Sequence, residues 1–144
     1  MINENREICK RTVSEIESYC ENKMYRCPLC GEPIEWDDAQ YNPRTGEYTC
    51  PLCKESFEEN ELESLSLCDY FSKNIYDVEY RIDEKKEYRS VEIMVAVGGP
   101  NIYIDTKKQA VMLRWWNESA EYGLLPETVK EIDGYFEEEY KNIK

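Results

Sequence analysis

Apolar residues at the start of the chain recur with the spacing of a helix. They lie three or four positions apart, at Cys9, Val13, Ile16 and Cys20. This stripe predicts a helix over residues 4–22, with charged residues on its opposite face. We expect the helix to pack on a core. A helix that dimerises or binds a partner is the alternative, since a stripe with no nearby core needs another surface to cover it.

Short apolar and aromatic segments replace the helical pattern between residues 25 and 57. They predict strands at residues 25–27 and 34–36 and a returning segment at 47–50, separated by a polar loop. The aromatic residues expected to form the core of this small module are Trp36, Tyr48 and Phe57.

A second helix is predicted after the charged segment Glu58–Glu61. Apolar residues recur there every three positions, at Leu62, Leu65, Cys68 and Phe71. The predicted helix therefore includes Leu62 and runs to about Lys73, with Asn60 or Ser64 as its cap.

From residue 76 the apolar period changes to two. The alternation predicts four strands, near residues 76–82, 91–97, 102–106 and 110–116, joined by short turns. Asn117–Tyr122 is expected to form a short helical turn. Pro126 then begins a last helix, whose apolar face includes Val129, Ile132 and Phe136.

The order of these elements predicts an α+β fold. It comprises an N-terminal helix, a small ribbon, and then a helix, a four-stranded antiparallel meander and a final helix. The charged segment before the second helix indicates two domains, residues 1–60 and residues 61–144.

Four of the seven cysteines stand in two copies of one motif. Cys27-Pro28-Leu29-Cys30 is followed, after nineteen residues, by Cys50-Pro51-Leu52-Cys53. Two residues between cysteines let the backbone turn so that both sulfurs face one metal ion, and four thiolates make a closed tetrahedral site. The pattern predicts a structural Zn²⁺ held by Cys27, Cys30, Cys50 and Cys53. Two dithiols or disulfides are the alternative.

The other three cysteines, Cys9, Cys20 and Cys68, fall at apolar positions of predicted helices. We expect them to be small buried hydrophobic residues, with a redox-active or nucleophilic thiol as the alternative. The sequence contains no histidine, which excludes Ser-His and Cys-His dyads. Acid–base chemistry would therefore depend on carboxylates, Lys, Tyr or Cys.

The chain is strongly acidic, with 31 Asp and Glu against 18 Lys and Arg and a net charge of −13. Such a charge repels nucleic-acid phosphates and attracts basic partners, although it can also serve solubility alone. The ribbon segment is itself acidic, which argues against direct nucleic-acid binding. Candidate partner-binding carboxylates stand in two runs: Glu58, Glu59 and Glu61, and Glu137, Glu138 and Glu139.

The adjacent pair Trp115-Trp116 is a further candidate for partner binding. Alternation along a strand would bury one indole and present the other outward. An exposed Trp116 would be an interface anchor. Packing of both rings under neighbouring helices is the alternative.

One pattern is compatible with an enzyme. Asp105-Thr106-Lys107 follows an earlier acid, Asp83, in the loose manner of metal-dependent nucleases that hold Mg²⁺ and a water with an acid and a lysine on a strand. Acids and lysines are also common at strand ends and turns. We expect a non-catalytic protein and keep the nuclease as an alternative.

Targeting signals are not recognisable in the sequence. The first residues lack a basic segment followed by an apolar one, so no signal peptide is expected. No apolar run is long enough to span a membrane. With the odd number of cysteines left over, these features predict a protein of the host cell cytoplasm.

The paired knuckles make residues 25–57 resemble the zinc ribbon family, which implies that the four motif cysteines bind a structural zinc ion. The remainder, especially Val91–Trp116 with its Gly-Gly-Pro-Asn-Ile-Tyr-Ile-Asp-Thr segment, is similar to small proteins of phages and mobile elements in Gram-positive bacteria. That resemblance implies an anti-CRISPR or anti-restriction inhibitor that occupies the basic groove of a defence nuclease. An adaptor that binds a transcription or replication protein is the alternative.

Overall fold

The computed structural model describes residues 2–143, which form three α-helices and eleven β-strands. The helices are α1 (Ile2–Cys20), α2 (Leu67–Asn74) and α3 (Pro126–Ile143). Contacts divide the chain into two compact units. The ribbon unit is Ser18–Tyr70, and the sheet unit combines the residues up to Glu17 with those from Phe71 onward. The division into domains of residues 1–60 and 61–144 stays a prediction.

The N-terminal helix is confirmed, and its predicted stripe is buried at Cys9, Val13 and Ile16. The helix ends at Cys20 because the chain turns there into a left-handed residue, Asn22, whose φ is 61°. The backbone N–H of Lys23 donates to the carbonyl of Ser18 at 2.9 Å, which satisfies a carbonyl of the last turn. Asparagine tolerates this conformation better than most residues.

The ribbon unit contains two antiparallel three-stranded sheets. One has the order β2-β1-β6 and the other the order β3-β4-β5. The strands are β1 (Met24–Arg26), β2 (Pro33–Glu35), β3 (Gln40–Asn42), β4 (Glu47–Thr49), β5 (Ser56–Phe57) and β6 (Glu63–Ser64). One cysteine motif joins β1 to β2 and the other joins β4 to β5. Each sheet therefore carries one pair of cysteines.

The predicted second helix is wrong over its first half. Its segment up to Ser66 forms a 3₁₀ turn at Glu59–Glu61 and then strand β6, which pairs with β1. The helix α2 begins only at Leu67, and the Asp69 carboxylate in its first turn accepts the backbone N–H and the hydroxyl of the preceding Ser66 at 2.8 and 3.2 Å. Pairing with β1 outweighed the helical spacing of Leu62 and Leu65. The Ser66-x-x-Asp69 pattern was the signal for the true start.

The sheet unit is built on an antiparallel meander of five strands. These are β7 (Asp77–Ile82), β8 (Tyr88–Ala96), β9 (Asn101–Asp105), β10 (Ala110–Trp115) and β11 (Glu118–Gly123), in the spatial order β11-β10-β9-β8-β7. The four-stranded prediction is corrected by β11, which occupies the segment expected to be a helical turn. Strand β11 is mostly polar, so its sequence shows only a weak apolar alternation, at Ala120 and Tyr122. These two residues pair with Leu113 and Val111 of β10.

One face of the sheet supplies the core of this unit. Its fully buried residues include Val91, Ile93, Ile104, Val111 and Leu113. The last helix, predicted from Pro126, is confirmed as α3, and it buries Val129, Ile132 and Phe136. The α+β class is thus confirmed. Within residues 2–143, no helix has both the length and the apolar composition needed to cross a membrane.

Candidate metal centre

The first cysteine loop is a tight turn that directs backbone N–H groups at sulfur. The N–H groups of Leu29 and Cys30 lie 3.4 and 3.5 Å from the Cys27 sulfur. The Gly31 N–H donates to the Cys27 carbonyl at 3.0 Å, and the Cys27 N–H donates to the Glu32 carbonyl at the same distance. These bonds hold the two cysteines of the motif on one side of the turn.

The second loop repeats the first bond for bond. The N–H groups of Leu52 and Cys53 lie 3.4 and 3.5 Å from the Cys50 sulfur. The Lys54 N–H donates to the Cys50 carbonyl, and the Cys50 N–H donates to the Glu55 carbonyl, each at 3.0 Å. The repeated sequence motif is therefore a repeated structure.

Each loop ends on a residue in the left-handed region. Gly31 has a φ of 77°, and Lys54, the equivalent residue of the second loop, has a φ of 64°. Glycine adopts this conformation without cost, whereas a side chain with a Cβ is strained there. The second loop therefore keeps the geometry of the first at an energetic cost.

The two loops bring four sulfur atoms together. The sulfurs of Cys27 and Cys53 are 3.8 Å apart, and those of Cys30 and Cys50 are 3.9 Å apart. All four lie within 4.8 Å of one another. Sulfurs at the corners of a tetrahedron, each about 2.3 Å from a central ion, would be about 3.8 Å apart. The four cysteines could therefore hold one metal ion with little rearrangement, and none of them is in a disulfide.

The thiols of this cluster share protons unequally. Burial works against a charged Cys27, but the N–H groups of Cys30 and Leu29 outweigh it and lower the pKa of Cys27 to about 7. The N–H of Glu32 acts to lower the pKa of Cys30, yet desolvation and hydrogen bonds to the other sulfurs raise that pKa to about 12. The cluster thus favours one thiolate, and a bound cation would replace the remaining thiol protons.

A small core lies under the sulfur cluster. Its buried members are Cys27, Ile34, Cys50 and Phe57. Tyr48 packs against them, with Phe57 stacked at 6.3 Å and Trp36 tilted at 4.7 Å between ring centroids. The aromatic residues predicted for this core do contact one another, and two of the four buried residues are cysteines of the candidate metal site. The sulfur cluster is therefore part of the core that folds the unit.

The candidate contact acids of the ribbon unit are exposed. Glu58, Glu59 and Glu61 all lie at the surface around the 3₁₀ turn. Glu61 also has a local role, since its carboxylate accepts the backbone N–H of Glu58 at 3.3 Å. A role in partner binding stays a prediction for all three residues.

The second run of candidate acids belongs to the sheet unit, on α3. Glu138 and Glu139 are exposed, and Glu137 is half-buried. Glu138 lies 3.8 Å from the ammonium group of Lys141, an exposed ion pair one turn along the helix. Such a pair stabilises a helix only weakly. The ion pair with Lys141 therefore gives Glu138 a weak stabilising role within α3.

The tryptophan pair is more exposed than either sequence interpretation allowed. The exposed fractions are 37% for Trp115 and 86% for Trp116. Trp115 pairs with Glu118 across the last ladder position, so Trp116 and Asn117 form the turn between β10 and β11. Neither ring is buried: Trp116 extends into solvent from the turn, and Trp115 is partly covered at the end of its strand.

The cysteines outside the motif differ in burial. Cys9 is fully buried and Cys20 is half-buried, which fits the predicted packing role. For Cys68 the prediction is wrong, because this residue is exposed. Since α2 begins at Leu67, its buried face contains Leu67, Tyr70 and Phe71, and Cys68 points away from it.

Asp105, the acid of the nuclease-like pattern, is engaged by other groups. It is fully buried, and its two oxygens accept the Arg81 guanidinium at 2.8 and 2.9 Å. One of them also accepts the N–H groups of Lys107 and Lys108 at 2.9 and 3.1 Å. Asp83 serves its own turn by accepting the N–H of Lys85 at 2.9 Å. This geometry gives the Mg²⁺-dependent alternative no support.

Sequence reasoning did not identify Arg81 as the partner of Asp105. Arg81 lies on β7, two strands from β9, and it reaches across Ser90 and Glu92 of β8. Its guanidinium is 3.3 Å from the Glu92 carboxylate. Aligning the predicted strands face by face would have placed these three charges on one side of the sheet.

Comparison of the chain with protein-family models, with curated proteins and with solved structures finds no match.

Proposed function

We propose that the chain is a non-catalytic zinc-binding protein whose acidic surface occupies a basic surface on a partner protein. As a protein of a phage or mobile element, it would inhibit a host defence nuclease of the CRISPR or restriction type. Four thiolates at tetrahedral spacing favour Zn²⁺ among common metal ions. The metal is structural in this proposal, because four protein ligands leave no open position for a substrate or water.

The observation that carries the proposal is the location of the negative charge. The ribbon unit, Ser18–Tyr70, contains twelve acidic and four basic residues, a net charge of −8. None of those acids is buried. A zinc ion bound by four thiolates would add about −2 more. More than half of the protein's excess negative charge thus lies at the surface of its smaller unit.

Electrostatics connects this surface with the groove of a nuclease. Nucleases bind DNA or RNA through clefts lined with Lys and Arg, which neutralise phosphates. A surface of closely spaced carboxylates is attracted to the same cleft and would compete with the nucleic acid. The same charges oppose binding of the protein to nucleic acid itself.

Inhibition of purified nucleases tests the proposal. A panel of restriction and CRISPR nucleases would cleave plasmid DNA with and without the zinc-loaded protein, at low and at moderate salt. We expect inhibition of at least one nuclease, weakened as salt rises because exposed charges are screened. Replacing Glu58, Glu59 and Glu61 by Gln should raise the concentration needed for half-inhibition by about tenfold.

A matched variant controls for net charge alone. Glu84, Glu127 and Glu131 are exposed acids of the sheet unit, and replacing them by Gln removes the same charge. This variant should inhibit like the unmodified chain. Equal weakening by both triple variants would mean that general charge, rather than the ribbon surface, drives binding. No inhibition across the panel would argue against the nuclease as the target.

A second candidate function is an adaptor for a transcription or replication protein. It is favoured by two leucines at the tips of the cysteine loops, Leu29 and Leu52, which are 52% and 59% exposed. Apolar contacts of this kind persist at high salt. An immobilised chain that retains a polymerase or replisome subunit from a bacterial lysate through a high-salt wash, and loses it on Leu29→Ser with Leu52→Ser, would favour this function over the first.

A further inference from the structure

The turn between β10 and β11 holds a tryptophan in a conformation that tryptophan rarely adopts. Trp116 has a φ of 55°, in the left-handed region. Two-residue hairpin turns demand positive φ, and Gly, Asn and Asp usually supply it. A bulky side chain there is a genuine outlier, and its strain must be offset elsewhere. The fold alone gives no reason for tryptophan at this position.

Packing within the protein does not account for the residue either. The Trp116 side chain is 86% exposed, and its contact with Trp115 is edge-on, with ring centroids 5.7 Å apart. The large apolar surface of an indole therefore faces water, which is unfavourable. Strain and exposure are independent observations. Both indicate that the Trp116 side chain serves to contact another molecule rather than to stabilise the fold.

Other exposed apolar residues lie at the same end of the sheet. Val97 follows β8 and is 52% exposed, and Tyr76 precedes β7 and is 62% exposed. The register puts these positions at the same end of the sheet as the end of β10, because Arg114 pairs with Asn101 and Tyr76 donates its N–H to the carbonyl of Met94; β9 lies between β10 and β8, and β7 is one strand further. Trp116 is thus the most exposed member of an apolar end formed by Tyr76, Val97, Trp115 and Trp116.

Charges around this apolar end indicate what it contacts. Glu118 follows the turn directly, and Asp77 is the first residue of β7. The nearby cation, Arg114, lies over the Tyr103 ring at 4.9 Å. Glu118, two residues from the exposed indole, and Asp77, at the same end of the sheet on β7, complement a pocket with an apolar floor and Lys or Arg at its rim. The net charge of −13 disfavours nucleic acid and anionic lipid as occupants.

We propose that Trp116 is an anchor residue that inserts its indole into an apolar pocket with a basic rim on the partner protein. The inference rests on the proposed binding of a basic protein and adds where the affinity resides. Anchors of this kind are typically aromatic and surrounded by polar contacts. Turn strain would hold the indole in position before binding, which reduces the ordering cost of the complex.

The test compares Trp116→Gly with Gln109→Gly. Gln109 also has a φ of 55°, in the turn after β9, and it carries no aromatic ring. Glycine relieves strain at either site, so we expect the thermal unfolding midpoint of both variants to rise by roughly 2–4 °C. Immobilised chains would then be exposed to a bacterial lysate at low salt, and the retained proteins identified and quantified by mass spectrometry.

The expected result separates stability from binding. The unmodified chain and Gln109→Gly should retain the same basic protein, and Trp116→Gly should retain about tenfold less of it. Retention by Trp116→Gly equal to that of the unmodified chain overturns the anchor and leaves the proposed function standing. Retention of no basic protein by the unmodified chain overturns both.

Three further outcomes overturn the anchor by assigning Trp116 another role. A midpoint lowered by several degrees in Trp116→Gly would make the indole structural. A chain that sediments as a dimer, with Trp116→Gly as a monomer, would make the apolar end a contact between copies. Flotation of the unmodified chain with phosphatidylcholine vesicles, absent in Trp116→Gly, would make the occupant a membrane.

Discussion

Asp105 shows how strongly a single buried charge can commit a residue to structure. Its carboxylate has 1% exposure and is held by Arg81 in a bidentate ion pair. Arg81 is 33% exposed and also contacts Glu92, so removal of the Asp105 charge leaves the guanidinium partly compensated, and the main cost is loss of the bidentate pair. The residue that looked catalytic in the sequence therefore joins three strands of the sheet.

Asp105→Asn tests this role. Burial opposes the charged form of Asp105, but the Arg81 guanidinium and two backbone N–H groups outweigh it and hold the pKa of the carboxyl below its ordinary value. A depressed pKa adds stability above about pH 4, which is lost as the pH falls through the folded-state pKa. At neutral pH we expect the variant to lower the free energy of unfolding by about 2 kcal/mol, the contribution of a hydrogen bond to a charged group.

Urea unfolding at a series of pH values measures the effect. The difference between Asp105→Asn and the unmodified chain should shrink as the pH falls below about 4. Asp83→Asn is the control, because Asp83 pairs with the exposed Arg89 at 3.6 Å and its loss should cost less than about 1 kcal/mol. A variant of Asp105 as stable as the control would contradict the structural role.

The two cysteine loops allow a second prediction at this scale, because they differ at their left-handed residue. Gly31→Lys should lower the stability of the metal-bound ribbon unit by about 1 kcal/mol, and Lys54→Gly should raise it by up to about 1 kcal/mol. The reason is backbone strain alone, since a Cβ added at Gly31 meets no atom within 4 Å. Zinc release to a competing chelator, measured as a function of concentration, should rank the variants in the same order.

Lys86→Gly provides the matched control for that series. Lys86 has the same φ of 64° as Lys54, but it lies in the turn after β7, away from the cysteines. The Lys86→Gly variant should raise the stability of the sheet unit and leave the release of zinc to the chelator unchanged. If Gly31→Lys and Lys54→Gly released zinc alike, strain at the loop ends could not be what distinguishes them.

At the scale of elements, hydrogen bonds between α3 and the sheet fix the position of the last helix. The Tyr88 hydroxyl, on β8, donates to the Asp133 carboxylate of α3 at 2.5 Å. The Tyr140 hydroxyl donates to the carbonyl of Lys86 at 2.7 Å, in the turn between β7 and β8. The helix is thus tied to the same hairpin at two points, one of them to a charged acceptor.

Tyr88→Phe should lower the free energy of unfolding by about 1.5 kcal/mol, the lower range for a hydrogen bond to a charged group. Burial, and then the bond to Asp133, raise the pKa of Tyr88. A raised pKa adds stability below the ordinary value, about pH 10, which is lost at higher pH. The measurement is thermal unfolding of Tyr88→Phe and of the control Tyr103→Phe from neutral to alkaline pH. If the two variants had the same unfolding midpoint at every pH, the stabilising role of the Tyr88 hydroxyl would be refuted.

Elements also show what the sequence could predict. The helices α1 and α3 and the first four strands of the meander follow from apolar periods, because their buried faces are strongly apolar. The strands β6 and β11 do not, because they are short or polar and exist through pairing with a neighbour. The four cysteines of the candidate metal site were predictable from spacing alone. The exposure of Trp116 depends on the hairpin that β10 makes with the unpredicted strand β11, and the partner of Asp105 depends on the register of three strands.

At the scale of the molecule, the two units have different kinds of core. The sheet unit buries aliphatic and aromatic residues of the three central strands, β8, β9 and β10, and of α3. Around its two cysteine loops the ribbon unit has a cluster of only four buried residues, two of which, Cys27 and Cys50, belong to the candidate metal site. We expect a cluster this small to need a bound metal ion in order to fold. Repulsion among the carboxylates of this unit, whose net charge is −8, also opposes its compact state.

Chelation should therefore unfold the ribbon unit and spare the sheet. Hydrogen exchange measured with and without a strong zinc chelator should show lost protection in β1, β2 and β4, whereas the amides of β8, β9 and β10 stay protected. Cys30→Ser should reproduce this pattern in the absence of chelator, because three thiolates bind zinc far more weakly than four. Cys68→Ser, which changes an exposed cysteine outside the motif, should exchange like the unmodified chain.

The same measurement decides whether the units fold independently. Loss of protection in the sheet strands together with the ribbon strands would mean that the chain folds as one cooperative unit around the metal. Retained protection in β1 and β4 after complete zinc removal would mean that the aromatic cluster of Trp36, Tyr48 and Phe57 suffices as a core. Loss confined to the ribbon unit would show that its acidic surface exists only while zinc is bound. Partner binding would then depend on the metal without any direct contact between metal and partner.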